Sequence, residues 1–149
     1  QLICHNLDAQ LGFGYTGRYN QYATVDKDLP EFKWSPEITS VIAYSFPKIG
    51  LDLNLYYKLT GKLPYYQTVT NNGQTEIQLV ETEGYQWADF TVNKRIAHMF
   101  TISGGVRNLF DVTSVNNVTT ASVSNNTGRP IGYGRSYFLG LAFNWAKAK

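Results

Sequence analysis

Residues 51–60 read LDLNLYYKLT. Leu51, Leu53, Leu55, Tyr57 and Leu59 fall on one side of a two-residue repeat, and Asp52, Asn54, Tyr56, Lys58 and Thr60 on the other. Successive side chains of an extended chain point to opposite faces, so this stretch predicts a strand with one oily face and one wet face. The repeat recurs five times. Leu7, Ala9, Leu11, Phe13 and Tyr15 oppose Asp8, Gln10, Gly12, Gly14 and Thr16; Ile42, Tyr44 and Phe46 share one face of residues 38–46. Ala88, Phe90 and Val92 oppose Asp89, Thr91, Asn93 and Arg95; Phe100, Ile102, Gly104 and Val106 oppose Thr101, Ser103, Gly105 and Arg107. Last come Tyr137, Leu139, Leu141, Phe143 and Trp145 against Ser136, Phe138, Gly140, Ala142 and Asn144. About six antiparallel strands are expected, and no helix.

The connections alternate long and short. A polar loop, NQYATVDKDLPEFKWSPE, follows the first strand, and a tight turn at PKIG follows the second. The third runs on into YYQTVTNNGQTEIQLVE, where Asn72-Gly73 signals a hairpin. A tight turn near IAH joins the fourth and fifth, and DVTSVNNVTTASVSNNTGRPIGYG separates the fifth from the sixth. All long connections therefore fall at one end, with both chain ends expected at the other. Short turns at one end and long loops at the other characterise outer-membrane barrels. Each oily face carries about five positions, the roughly 9–11 residues that a tilted strand needs to cross lipid.

Composition agrees with strands. Of 149 residues, 15% are aromatic, eleven tyrosines among them, and only 16% are charged against roughly 25% in a soluble domain. A net charge of +2 without a basic run argues against nucleic acid. The single cysteine, Cys4, forms no internal disulfide and reads as a small apolar residue. No apolar run is long enough for a spanning helix. A soluble sheet can also alternate, but it needs a second layer over its oily face, and no helix or apolar second sheet is legible. An incomplete membrane barrel is therefore the expected fold, with a soluble β-sandwich binding module as the rival. Six strands cannot close even the smallest usual barrel, and open edges in lipid strand backbone polar groups, so other strands are expected as partners.

Two resemblances sharpen this. YFLGLAFNW, with Tyr137, Gly140, Phe143 and Trp145 at fitting spacings, resembles the C-terminal signal that the barrel assembly machinery reads, although Trp145 is followed by the polar tail 146–149 and Phe138 stands where a polar residue is usual. GVRNLFDVT resembles the NLFD element near the C-terminus of TonB-dependent receptors, where a loop and a final strand opening GR.Y follow; here Gly134-Arg135-Ser136-Tyr137 comes in that order. GYTGRYNQY and WADFTVNKRI are similar to the same family, in the style of receptors of the Bacteroidetes. The resemblance implies that residues 1–149 are the C-terminal quarter or so of a barrel of about 22 strands around a plug that lies outside this sequence. It implies no bond chemistry and no cofactor. It implies location in a bacterial outer membrane, loops outward and chain ends periplasmic. Its function would be import of a large scarce nutrient such as iron-siderophore, haem, cobalamin or oligosaccharide. The implied partners are the rest of the barrel and its plug, the TonB energy-coupling complex acting through that plug, outer-membrane lipid and, in some relatives, a surface lipoprotein. A subunit of an oligomeric pore or adhesin is the alternative.

Within that resemblance Asn108, Leu109, Phe110 and Asp111 have a structural role: Asn108 and Asp111 bond nearby backbone, and Leu109 and Phe110 pack at the rim. Tyr19, Tyr22, Trp34, Tyr65, Tyr66 and Tyr133 either stack on the ring of a cargo or, the commoner use, form an aromatic girdle and pack loops. His5 and His98 fall at the short-turn end, where His98 reads as a turn residue and not as a haem ligand, and nothing has zinc spacing. Asn117-Val118-Thr119 and Asn125-Asn126-Thr127 match a glycosylation acceptor pattern, a coincidence in a bacterial outer membrane.

Overall fold

The computed structural model describes residues 2–71, 74–97, 99–119 and 129–144. Among these the strands are β1 (Leu2–Cys4), β2 (Leu7–Tyr19), β3 (Phe32–Phe46), β4 (Leu51–Thr60), β5 (Leu63–Asn71), β6 (Gln74–Thr82), β7 (Tyr85–Ile96), β8 (Phe100–Arg107), β9 (Ser114–Val115), β10 (Asn117–Thr119), β11 (Arg129–Pro130) and β12 (Ser136–Phe143). The one helical element described is a 3-10 turn at Gln21–Thr24. The protein is all-β, and its paired strands are antiparallel.

Seven strands form the main sheet in the order β1-β2-β3-β4-β7-β8-β12. The period-two patterns stay in phase across it. One row of directly opposed residues runs Ala9, Ile42, Leu55, Phe90, Val106, Tyr137. The adjacent row, on the other face, runs Asp8, Ala43, Asn54, Thr91, Gly105, Phe138. Slipping any strand by one residue would invert its faces, so these rows fix the register. The polar face carries cross-strand ion pairs, Lys58–Glu37 at 3.1 Å and Arg95–Asp52 at 3.6 Å.

The structure departs from the sequence reading in three places. The main sheet has seven strands, not six, because the three-residue β1 is too short to show a period. The described chain meets the sheet with Leu2 opposite Ala9, close to the short-turn end of β2 and joined to it by the His5-Asn6 turn. β3 reaches back to Phe32, through residues read as loop. Above Glu37 it has no β4 partner, so Pro36 sits where a missing N–H is tolerated, and its carbonyl accepts from Gly61 N–H at 2.8 Å. The third long connection is structured: β5 and β6 pair from Leu63↔Thr82 to Asn71↔Gln74, and β10 adds to β6. Asn72 and Gly73 lie outside the described residues, as do His98, the acceptor pattern at 125–127, Trp145 and the tail 146–149. The sheet is also not closed: β1 and β12 are its two edges, and β1 covers only Leu7–Ala9 of β2.

The main sheet's apolar face is largely bare. Leu11 is 76% exposed, Leu139 84% and Leu141 70%, and the buried apolar side chains among the described residues are Val80, Ala88 and Val115. The accessible surface is 11071 Å², against about 7,600 Å² for a compact monomer of this mass. No helix among the described residues is long and apolar enough to cross a membrane, which is silent about strands.

Aromatic rings gather at the two ends of the apolar face. Toward the loops, Tyr15 stacks on Trp34 at 5.2 Å, and Phe32 meets Trp34 at 6.1 Å and Tyr19 at 5.6 Å. Toward the short turns, Tyr44 packs on Phe46 at 4.6 Å and Phe100 on Phe143 at 4.9 Å. Between them Leu11, Ile38, Ile42 and Leu55 share the face with Phe13, Ser40, Tyr57 and Phe90. Two close approaches need glycine. The Trp34 ring covers Gly17, where a Cβ would lie 2.8 Å from it; the Phe138 ring covers Gly105, where a Cβ would lie 2.7 Å from it. Phe138 also receives Arg107, whose guanidinium lies 5.2 Å from the ring centre. That packing is why an aromatic occupies a polar-face position in the last strand.

Candidate functional site

The long connections meet at one end of the main sheet, where a groove of about 200 Å³ opens. β2 and β3 supply Arg18, Tyr19 and Lys33; the 3-10 segment supplies Asn20, Gln21 and Tyr22; β5 supplies Pro64, Tyr65 and Tyr66. Asn20 builds the first wall. It is buried, its Oδ1 accepts from Tyr22 N–H at 3.1 Å, its Nδ2 donates to the Pro30 carbonyl at 3.2 Å, and its own N–H donates to the Glu31 carbonyl at 2.8 Å. An asparagine at this position caps the turn and so aims Tyr22. The second wall stands on the β5–β6 ladder, where Tyr65 opposes Val80 and Tyr66 opposes Leu79. Burial, and then the negative charge of Glu81, push the Tyr66 phenol above its ordinary range, so it remains a hydrogen-bond donor.

Arg18 and Lys33 are directly opposed on β2 and β3 and so project from the same face. Neither has an ion-pair partner among the described residues. Glu37, on the same polar face, is taken by Lys58. A second hollow adjoins this one through Arg18 and is walled by Thr16, Ser35, Glu37, Lys58, Thr60 and Tyr85. The Thr60 hydroxyl is buried there without a hydrogen-bond partner among the described residues.

The groove thus brings together four of the six aromatic residues read from the sequence as ligand candidates: Tyr19, Tyr22, Tyr65 and Tyr66. Trp34 does not join them; it belongs to the aromatic strip of the apolar face. Tyr133 stands apart and is 96% exposed. Sequence reading missed Arg18 and Lys33. Their signal was available only by pairing the strands, which sets GRY against FKW.

NLFD forms a separate, structural knot where β8 ends. Asn108 and Asp111 both take left-handed backbone, with φ 55 and 58, a conformation that Asn and Asp accept more readily than most residues. Asn108 is buried; its Oδ1 accepts from Val112 N–H at 2.9 Å, and its Nδ2 donates to the carbonyls of Val112 at 2.9 Å and Tyr133 at 3.3 Å. Its backbone N–H donates to Asp89 Oδ1 at 2.8 Å, which also accepts from the Trp87 indole at 2.9 Å. Asp111 Oδ1 accepts from Arg135 N–H at 2.6 Å, and the Arg135 guanidinium donates to the Leu109 carbonyl from Nη2 at 2.6 Å and Nε at 3.1 Å. Leu109 N–H donates to the Ala88 carbonyl, and the Phe110 ring meets Tyr57 edge-on at 6.3 Å. In β12 Tyr137 is exposed opposite Val106, Gly140 opposes Ser103, and Phe143 packs on Phe100. His5 sits in the β1–β2 turn with φ 40. Among the described residues no three of His, Cys, Asp and Glu gather as a metal site.

No protein-family model matches this chain, and no curated protein or solved structure matches it either.

Proposed function

We propose that this chain is a wall segment of a TonB-dependent receptor in the bacterial outer membrane, part of a barrel that takes up a large scarce solute. The observation that carries this reading is the bare apolar face: six strands present their hydrophobic positions on one side, in register, with no layer over them among the described residues. Water makes such a face costly at about 25 cal/mol for each Å²; hydrocarbon does not. The spacing of the two aromatic clusters supports the same reading. Trp34 and Tyr44 lie ten residues apart on β3, about 33 Å along the strand at about 3.3 Å per residue. At a tilt of about 40° this projects to about 25 Å, the height of the lipid-facing band between aromatic girdles. Two polar groups on the apolar face also sit at its margins with partners. Gln86 Oε1 accepts from the Tyr57 hydroxyl at 3.2 Å, and Lys94 reaches the Ile49 carbonyl at the short turn, as a lysine does when it carries its charge out of an oily layer.

The open edges point to further strands. A bilayer has no water to satisfy the free N–H and C=O groups of β2 above Ala9 or of β12. The polar face, with its ion pairs and the groove, then lines the interior, and the long connections lie outside the cell. NLFD and GR.Y, tied together through Asp111 and Arg135, are the residues by which the family resemblance enters.

The test is extraction of the native particle from washed membranes followed by mass spectrometry. The receptor reading expects recovery only with detergent, together with plug-bearing polypeptide. Identical copies of this chain alone would instead make it a subunit of an oligomeric pore or adhesin. Recovery of a compact monomer in plain buffer refutes both.

A further inference from the structure

We propose that the groove between the 3-10 segment and β5 binds a ring-bearing anion, its negative group bridging Arg18 and Lys33 and its ring lying against the tyrosines. This names a ligand class for the groove, and it rests on the receptor reading only for the ligand's route to the site.

Arg18 on β2 is directly opposite Lys33 on β3. Directly opposed side chains of an antiparallel pair stand about 5 Å apart at Cβ, and like charges there are destabilising. Elsewhere on the same face opposite charges are matched, Lys58 with Glu37 and Arg95 with Asp52. Arg18 and Lys33 alone combine direct opposition, like sign and no partner among the described residues. Their repulsion turns into attraction when one anion sits between them. A guanidinium beside an ammonium suits a carboxylate, sulfate or phosphate, because the guanidinium offers a planar fork and the ammonium a compact charge.

The surroundings set the rest of the ligand. Tyr22, Tyr65 and Tyr66 border the same groove. Aromatic faces beside a cation pair take a flat or ring-shaped body, such as an acidic sugar. The Tyr66 phenol stays protonated and can donate to the ligand. A volume of about 200 Å³ has room for one six-membered ring with its acid group. The site also belongs to the polar face of β2 and β3, and the adjoining hollow is lined mostly by polar-face residues. That favours a dissolved ligand over a lipid headgroup.

The test uses the detergent-extracted native particle and a matched pair of fluorescent probes, 4-methylumbelliferyl glucuronide and the corresponding glucoside, which differ in one carboxylate. The glucuronide should bind at least about tenfold tighter, and the difference should shrink as salt rises. R18Q should remove most of the preference. K33E puts an opposite charge across from Arg18, so it should lose glucuronide binding while the barrel unfolds at equal or higher temperature; loss of binding there cannot be ascribed to misfolding. Equal affinity for the two probes, or full glucuronide preference retained in K33E, overturns the inference. Displacement of the glucuronide by lipopolysaccharide vesicles but not by free glucuronate overturns the assignment to a dissolved ligand. None of these outcomes bears on whether the particle needs detergent, so the receptor reading stands or falls separately.

Discussion

Replacing Leu55 by arginine places a guanidinium midway along β4 on the apolar face, flanked by Ile42 and Phe90 on the neighbouring strands. Three variants separate what the face meets. In a bilayer, arginine near the midplane of a barrel wall costs about 2–4 kcal/mol, falling to about 0–1 kcal/mol near the interface. Leu55 lies level with Ile42, between the midplane and the Tyr44 end of the band, so L55R should cost about 2 kcal/mol, roughly thirtyfold in the folding equilibrium. Ile96 ends β7 at the short-turn margin and is already 42% exposed, so I96R should cost about 1 kcal/mol or less. Asn54 neighbours Leu55 but points to the polar face, so N54R should stay within about 0.5 kcal/mol of the parent. Urea titration of the native particle in lipid nanodiscs, followed by tryptophan fluorescence, gives all three values. A bare face in water offers an arginine no penalty beyond that of an ordinary surface site. The reasoning therefore fails if L55R and N54R cost the same.

Three further outcomes follow from the geometry. Asn108→Ala removes three side-chain hydrogen bonds from a buried position, at about 1 kcal/mol each; the β8–β12 connection should then be cut by protease at least tenfold faster, with the remaining sheet intact. Gly105→Ala drives a methyl against the Phe90 carbonyl and the Phe138 ring, costing about 1–3 kcal/mol; adding Phe138→Ala should recover only part of this in chemical unfolding, since the carbonyl contact remains. The Tyr66 phenol is raised by burial and by Glu81; its proton is held more tightly in the folded hairpin than in the unfolded one. Its contribution is therefore complete below about pH 10 and is lost as pH rises beyond that, through the raised folded value; Y66F should remove this part of the alkaline loss of protease resistance.

Much of the sheet was legible because its code is binary. Six of the seven main strands announce themselves by alternation, and the phase of each pattern is the phase of its pairing. What escaped notice lacked that code. β1 has three residues, fewer than two periods. The upper part of β3 keeps the alternation, with Phe32, Trp34 and Pro36 against Lys33, Ser35 and Glu37, but its proline disguises it as loop, and pairing with β2 holds it extended. β5 and β6 carry polar residues on both sides, so no single phase marks them. The groove was half legible. Tyrosines in loops are visible in a sequence, but which of them converge is decided by the β5–β6 ladder and by the Asn20 cap. The opposed cations become visible only when two distant segments are aligned.

The knot around Asn108 has a consequence for how the longest connection can vary. Asn108 grips carbonyls on both arms, Ile131 N–H bonds to the Thr113 carbonyl at 3.1 Å, and Val115 pairs with Arg129. The two arms are clasped at their base. With the base clasped, the register of β8 against β12 does not depend on the length of chain beyond Val115 and Arg129. Foreign peptide inserted beyond the clasp should leave the pairing of β8 with β12 as it is.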